Sequence, residues 1–149
     1  MTKIVFDLGA TNTRVARVAD GAIGEVLKVL TPENRDGWPA HLLGLINQVS
    51  GEGAEEIVGG VAGIREREAL AGAFPGARIY NDALMSGLGE AIYGAGKNEE
   101  VVGYIGLGTG IGTSRISGKK VGTMGFEAGH HIVDFIKQES WEKQVSGRV

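Results

Sequence analysis

The sequence predicts an α/β protein in which a mixed β-sheet is flanked by helices. Short apolar runs of strand length come first, and stretches in which apolar residues recur at helical spacing then alternate with further strand-like runs. Many of the 26 glycines stand at the ends of the apolar runs, where tight turns favour a residue without a Cβ. A chain of 149 residues can bury a core without disulfides, and this one contains no cysteine.

The predicted elements begin with an antiparallel meander and continue with alternating helices and strands. Strands are expected over 3–8, 13–19 and 25–30, followed by a helix over 36–49, a strand over 57–62, a short helix over 65–71, a strand over 77–80 and a helix over 83–93. After a linker at 94–98, a second hairpin is expected over 100–106 and 111–117, and the tail over 132–149 is expected to be helical.

Charge and composition argue against several classes of partner. The net charge is −3 and the basic residues are scattered, so the chain lacks the basic patch typical of nucleic-acid binding. The longest uncharged stretch, 101–114, is interrupted by five glycines and cannot form an apolar membrane helix of about 20 residues. Because the chain opens directly into a strand-like run without a signal-peptide pattern, we expect a cytoplasmic protein that binds small molecules.

A glycine- and threonine-rich turn after the first strand is a candidate phosphate site. The chain has neither a GxxxxGK[ST] loop nor a GxGxxG loop. Backbone N–H groups and hydroxyls in the turn can instead donate to phosphate oxygens, and the residues concerned are Gly9, Thr11, Asn12 and Thr13. An ordinary surface hairpin turn is the alternative.

Asp7 precedes this turn at the end of an apolar strand. A carboxylate there is costly to desolvate unless a cation such as Mg²⁺ or hydrogen-bond donors compensate its charge. The residue therefore favours the phosphate-site interpretation, although an Asp that hydrogen-bonds the backbone of its own turn is also possible. Residues 7–14 and 106–115 share the same Gly/Thr pattern closed by Arg, which indicates either an internal duplication or chance in a glycine-rich chain.

Asp82 follows Asn81 at a predicted strand-to-helix junction. Asp is a preferred N-cap residue worth about 1 kcal/mol, so capping alone could explain it. A carboxylate at such a junction can also act as a general base. Asn caps a helix as well as Asp does but cannot accept a proton, so Asp82→Asn separates the two roles.

Glu127, His130 and His131 form the remaining polar cluster. The two histidines are adjacent, so their side chains point apart and cannot chelate one metal ion. Without any cysteine, zinc is not expected. The Glu127 and His130 pair is either a surface or capping pair or part of a sugar site.

Taken together and in this order, the motifs resemble those of the ROK (repressor, open reading frame, kinase) family of sugar kinases. DLGATNTR at 7–14 resembles the first phosphate motif, with Ala10 in place of a glycine, and GLGTGIG at 106–112 resembles the second. The Asn-Asp helix at 79–97 is the most specific match. GFEAGH at 125–130 resembles the sugar motif, and residues 141–149 resemble the segment after the zinc motif. The family has the actin-like ATPase, or ribonuclease H-like, fold.

The resemblance implies a glucokinase-like hexose kinase that uses ATP and Mg²⁺, with Asp82 as the general base for the 6-hydroxyl of the sugar. It implies that Asp7 orients Mg²⁺ through water. The implied phosphate-binding residues are Gly9, Thr11, Asn12 and Thr13 for the transferred phosphate, and Gly108, Thr109 and Gly110 for the inner phosphates of the donor. The implied sugar-binding residues are Asn81, Asp82, Glu127 and His130.

The sequence also departs from the family pattern. It lacks the Cys-rich zinc motif, its segment 63–79 is short, and it covers about half of a usual member, without the Gly-Gly turn that binds adenosine. The resemblance therefore implies an N-terminal lobe over 1–96 and a partial second lobe over 97–149. It leaves the sugar open, and it leaves the donor open between ATP and polyphosphate.

Three hypotheses follow. The chain is a minimal kinase, expected to be a homodimer in which a second copy covers exposed apolar surface. Alternatively, it is a non-catalytic sugar-binding or regulatory module, or an inactive fragment of a larger kinase. A repressor with an N-terminal DNA-binding domain is not expected, because the first strand begins at Lys3.

Overall fold

A computed structural model describes residues 2–50, 56–120, 132–134, 137 and 139–145. The chain divides into two compact units, Met1–Asp82 and Ala83–Val149. The division into an N-terminal lobe over 1–96 and a partial second lobe over 97–149 rests on the family resemblance and stays a prediction. Within the described ranges, no helix has the length and apolar character needed to cross a membrane.

The first unit contains a five-stranded mixed sheet. Its strands are β1 (Thr2–Leu8), β2 (Asn12–Ala19), β3 (Ala22–Leu30), β4 (Glu56–Val61) and β5 (Arg78–Asn81). Their order across the sheet is β3-β2-β1-β4-β5. The first three strands pair in antiparallel fashion, β4 is parallel to β1, and β5 is parallel to β4. The predicted meander, strands and α/β class are therefore confirmed.

Two helices bury the apolar side chains of this sheet. They are α1 (Trp38–Val49), preceded by a 3₁₀ turn at Arg35–Gly37, and α2 (Ile64–Ala73). Alternate residues of β1 point to one face, and the helices contribute side chains at three- and four-residue spacing to the same core. The largest fully buried members of that core are Ile4, Leu8, Trp38, Leu42 and Leu70. Both predicted helices are confirmed to within two residues.

The second unit is built around α3 (Asp82–Ile92) and the hairpin of β6 (Val101–Leu107) and β7 (Ile111–Ser117). Leu84 and Ala91 of the helix pack with Ile116 of the hairpin. The helix lies very close to the hairpin at Gly87, where an added Cβ would lie 2.2 Å from Ser114 Oγ. The absence of a side chain at Gly87 is therefore what allows this packing.

The predicted helical tail is partly wrong. Residues Ile132–Asp134 (β8) and Glu139–Ser140 (β9) form a short antiparallel pair, and only Trp141–Val145 (α4) is helical in the described part of the tail. Two β-branched residues at 132 and 133 favour the strand. The backbone N–H of Lys143 donates to Ser140 Oγ at 3.3 Å, an N-terminal contact that explains why the helix starts only after Ser140.

Candidate active site

Three parallel strands of the first unit end level with one another. Leu8 of β1 pairs with Val61 of β4, which in turn pairs with Asn81 of β5. Neighbouring strands are about 4.8 Å apart, so the ends of β1 and β5 lie about 10 Å from each other with β4 between them. We call this border of the sheet the carboxyl edge. Open α/β sheets bind ligands outside the carboxyl ends of their strands, which makes this edge the candidate site.

The chain places predicted site residues on both sides of this edge. Gly9 follows β1, whereas Asn81 ends β5 and Asp82 is the first residue of α3. Both Asn81 and Asp82 are partly buried. A carboxylate in the first turn of a helix is stabilised by the positive end of the helix dipole, so the location of Asp82 suits a structural role and a catalytic role equally.

The turn after β1, residues 9–12, which we call the first glycine turn, is held by its own backbone and by the end of β3. The Gly9 N–H donates to Asn12 O at 3.0 Å, and the Thr31 N–H donates to Thr11 O at 3.0 Å. Thr11 is exposed, and Gly9 and Asn12 are partly buried. All three predicted phosphate-binding residues of the turn are thus at least partly accessible.

Thr13 requires a correction, because it has no accessible surface. The residue is 0% exposed, and its hydroxyl lies 2.8 Å from Thr31 Oγ1 and 3.1 Å from His41 Nε2. Side chains on β2 alternate between the two faces, and Thr13 points toward the helices. It therefore supports the first glycine turn from inside and does not contact a ligand in this conformation.

Sequence reasoning missed Thr31 and His41. The Thr31 hydroxyl donates to the Gly9 carbonyl at 2.8 Å, so it contacts the first glycine turn directly. Burial lowers the pKa of His41 below its ordinary value of 6.5. No local signal marks either residue, since the two hydroxyl contacts of Thr13 join positions 18 and 28 residues apart.

The negative charge of Asp7 is compensated by an arginine on the neighbouring strand β2. In the register of β1 and β2 it lies opposite Arg14, and its Oδ2 accepts a hydrogen bond from Arg14 Nη1 at 2.6 Å. The two side chains are 48% and 46% exposed, so solvent screening keeps the stabilisation by this ion pair to about 1 kcal/mol or less. Of the two kinds of compensation expected for Asp7, a cation or hydrogen-bond donors, the structure shows a donor on the neighbouring strand.

The described residues contain no group of three or more His, Asp or Glu side chains that could hold a metal ion. This does not conflict with Mg²⁺, which commonly keeps several waters and uses one or two carboxylates together with substrate phosphates. Because Asp7 is half exposed, its carboxylate has room for water-mediated contact of that kind.

A second salt bridge joins the 3₁₀ turn that follows β3 to the first turn of α2, the helix that follows β4. Arg35 Nη1 contacts Glu66 Oε1 at 2.6 Å, and the Arg35 guanidinium lies 5.4 Å from the ring centroid of Trp38. Burial raises the pKa of Glu66, but the hydrogen bond from Arg35 and the nearby arginine charges outweigh it, so that pKa lies below the ordinary value of 4.5. Gly63, with φ of 98°, adopts a backbone conformation that favours glycine just before α2.

In the second unit, the turn between β6 and β7, residues 108–110, forms the second glycine turn. The Gly108 N–H donates to Gly110 O at 3.0 Å, and the pair Leu107 and Ile111 closes the hairpin. An added Cβ at Gly112 would lie 2.8 Å from the Cβ of Ala83. The strand that leaves this turn therefore packs against the first residues of α3.

Glu127 and His130 lie outside the described residues, so their sugar-binding role stays a prediction. Thr109 and Gly110 are partly buried and Gly108 is exposed. Their contact with donor phosphates also stays a prediction.

Comparison with known proteins supports the fold. No protein-family model and no curated protein matches the sequence. The structure matches a ROK family glucokinase from Streptomyces griseus, solved in complex with glucose and AMPPNP, with a TM-score of 0.80 and 27% identity over 99% of this chain. It also matches an inorganic polyphosphate/ATP-glucomannokinase from Arthrobacter sp. strain KM, with a TM-score of 0.78, 24% identity and 98% of this chain covered.

A third match is a ROK family transcriptional regulator, a homologue of the E. coli MLC protein, with a TM-score of 0.63 and 14% identity over 90% of this chain. The chain spans 58%, 68% and 42% of the lengths of these three proteins, respectively. The resemblance drawn from the motifs is confirmed by the structure: this chain has the actin-like ATPase fold of the ROK family sugar kinases and corresponds to a little over half of the Streptomyces glucokinase.

Proposed function

We propose that the protein is a sugar kinase that transfers the terminal phosphoryl group of ATP to a hexose hydroxyl, with Asp82 as the general base. The observation that carries this proposal is the level ending of β1, β4 and β5. It brings the first glycine turn and the Asn81–Asp82 junction to one carboxyl edge, on a fold whose Streptomyces relative binds glucose and a nucleotide analogue.

The proposed reaction depends on position and charge. Asp82 accepts the proton of the sugar 6-hydroxyl while the oxygen attacks the terminal phosphorus in line, and the bond from that phosphorus to the leaving diphosphate breaks. Backbone N–H groups of the first glycine turn stabilise the transferred phosphoryl group, and the second glycine turn binds the inner phosphates. Asn81, Glu127 and His130 bind the other sugar hydroxyls.

Magnesium is proposed as the cofactor, with Asp7 orienting its water ligands. The ion would neutralise charge on the phosphates when it is bound. Asp7 itself is held by Arg14 at 2.6 Å, and this ion pair gives the carboxylate a defined orientation beside the first glycine turn.

A solved structure of similar fold suggests which donors and sugars to test. The Arthrobacter relative is named for the use of both inorganic polyphosphate and ATP and for glucose and mannose as acceptors. We therefore propose ATP as the first donor to test and polyphosphate as the second, with glucose as the first acceptor and mannose as the second.

We also propose a cytoplasmic homodimer. Apolar side chains are exposed on the edge strand β3, where Ile23 is 67% and Leu30 is 75% exposed, and a second copy would cover such surface. Light scattering of the purified chain should give the mass of a dimer, and a monomeric mass would contradict this part of the proposal.

The decisive experiment is a phosphoryl-transfer assay of wild type beside Asp82→Asn. The Asn variant keeps a polar residue at the start of α3 but cannot accept a proton, so we expect kcat to fall by about 10²–10⁴-fold with little change in melting temperature. The matched control is Asp20→Asn, in the β2–β3 turn at the opposite end of the sheet. There φ is 53°, a conformation that Asn tolerates as well as Asp.

Equal activity of wild type and Asp82→Asn would remove Asp82 from the chemistry. A wild type that is inactive with both donors yet binds sugar would favour the second candidate, a non-catalytic sugar-binding or regulatory module. The fold supports this candidate as well, because a ROK family transcriptional regulator shares it.

A further inference from the structure

Three side chains, from helix α1, strand β2 and the loop after β3, form a continuous chain of hydrogen bonds beneath the first glycine turn. His41 of α1 contacts Thr13 of β2 at 3.1 Å, Thr13 contacts Thr31 at 2.8 Å, and Thr31 contacts the Gly9 carbonyl at 2.8 Å. We call these three residues the hydroxyl chain. Thr13 is 0% and Thr31 is 8% exposed, so bulk water does not compete for their bonds.

The direction of every bond in the hydroxyl chain follows from counting protons. A carbonyl only accepts, so the single hydroxyl proton of Thr31 is donated to Gly9 O. Thr31 Oγ1 must then accept from Thr13, which uses the only hydroxyl proton of Thr13. Thr13 Oγ1 must in turn accept from His41, so His41 carries a proton on Nε2.

The hydrogen bonds donated by His41, Thr13 and Thr31 therefore all run in one direction, from the imidazole to the Gly9 carbonyl. Hydrogen bonds aligned in this manner polarise and strengthen one another, most of all where water is excluded. Trp38, three residues before His41 on α1, donates its indole N–H to Pro32 O at 2.9 Å and so fixes the segment that follows Thr31. This bond ties the helix that carries His41 to the residue that follows Thr31.

This direction matters for the peptide that joins Gly9 to Ala10. The peptide bonds of the described residues are all trans, and in a trans peptide the C=O and the following N–H point in opposite directions. Because the Gly9 carbonyl is held toward Thr31 inside the unit, the Ala10 N–H points away from the buried hydroxyls. Meanwhile the Gly9 N–H is occupied by Asn12 O at 3.0 Å, so it is not the donor presented to a ligand.

We propose that the hydroxyl chain sets the orientation of the Gly9–Ala10 peptide so that the Ala10 N–H donates to a phosphate oxygen of the phosphoryl donor. Thr13, Thr31 and His41 are then positioning residues that act through the backbone. The inference rests on the proposed function of the first glycine turn as a phosphate site. It also explains why a buried threonine lies within a motif whose other members are accessible.

The direct test follows the backbone amide of Ala10 by ¹H–¹⁵N NMR while the full chain is titrated with tripolyphosphate. In wild type the Ala10 amide should shift on binding. Thr31→Val keeps the shape but removes the hydroxyl, and it should weaken tripolyphosphate binding by about tenfold, whereas Thr31→Ser should stay within about twofold of wild type. Both variants keep the backbone bond from Thr31 N–H to Thr11 O.

A second pair tests the far end of the chain. His41→Gln retains an N–H donor and His41→Phe does not, so the Phe variant should bind tripolyphosphate several-fold, roughly three- to tenfold, more weakly than the Gln variant. In the kinase assay the same contrasts should appear in the KM for the donor and not in the KM for the sugar. A purely structural role would instead change both KM values or only the melting temperature.

The outcomes separate this proposal from the proposed function. An inactive wild type whose Ala10 amide still responds, with weakened binding in Thr31→Val, removes the kinase and retains the positioning role. An active wild type in which Thr31→Val and Thr31→Ser bind alike overturns the positioning role alone. If the Ala10 amide of wild type does not respond to tripolyphosphate, the positioning role is likewise overturned.

Discussion

At the scale of single residues, the candidate site is shaped by how polar groups are paired. Asp7 was expected to be compensated by a cation or by hydrogen-bond donors, and the register of two strands supplies a donor, Arg14, at 2.6 Å. Thr13 was expected to contact phosphate, and its burial instead makes it the middle of a hydrogen-bond chain that ends on Gly9 O. In both cases the partner of the polar side chain is a protein group.

The burial of His41 predicts how the stability of the protein depends on pH. Burial lowers the pKa of His41, so in the window between its folded pKa and 6.5 the unfolded chain binds a proton that the folded chain does not. The free energy of unfolding should therefore decrease as the pH falls below about 6.5. His41→Gln cannot titrate and should lose less stability over the same window.

Urea unfolding of wild type and His41→Gln between about pH 7.5 and 5.5 measures this difference. The same dependence in both proteins would contradict the prediction. Glu66 does not interfere, because its pKa lies below 4.5, so the stability that it contributes is present above pH 4.5 and is lost only as the pH falls through that lower pKa.

At the scale of elements, the packing of α3 on the β6–β7 hairpin depends on small residues. Ser114 Oγ donates to the Ala83 carbonyl at 2.9 Å directly beside Gly87. On the neighbouring part of β7, a Cβ added at Gly112 would lie 2.8 Å from the Cβ of Ala83. Glycine usually destabilises a helix or strand, but at these two positions the missing side chain allows α3 to pack closely on the β6–β7 hairpin.

A matched pair of glycine substitutions in α3 tests this packing. Gly87→Ala places a Cβ 2.2 Å from Ser114 Oγ, so that side chain must move and lose its bond to Ala83, and we expect destabilisation of about 1–3 kcal/mol. Gly89→Ala meets no atom within 4 Å, so its better helix propensity should stabilise the protein by about 0.5–1 kcal/mol.

Thermal or urea unfolding of both variants gives the two changes in the free energy of unfolding. Opposite signs are expected. A stabilised Gly87→Ala would show that the helix and hairpin tolerate an additional methyl group, and the close-packing argument would then fail.

At the scale of the whole molecule, the candidate site follows from strand order more than from any single motif. Placing β4 between β1 and β5, with all three parallel, brings residues 9 and 82 to the same carboxyl edge although 73 positions separate them in sequence. The same fold occurs in kinases and in a regulator, so the fold alone does not decide between catalysis and binding. The phosphoryl-transfer assay of wild type beside Asp82→Asn distinguishes the two experimentally.

From the amino-acid sequence alone we could predict the α/β class, nearly all strands and helices, and the two glycine turns. These follow from apolar periodicity and turn chemistry, which depend on neighbours only a few residues away. The sequence did not predict the β8–β9 pair, because a three-residue and a two-residue segment carry too little periodicity to separate strand from helix.

The folded structure was needed to show that Thr13 is buried, that Arg14 compensates Asp7, and that Thr31 and His41 hold the Gly9 carbonyl. Each of these depends on strand register or on which helix turn faces the sheet, and a shift of one residue would move every side chain of a strand to the opposite face. Contacts between residues 18 to 28 positions apart are set by that register and helix packing, for which the local sequence carries no signal.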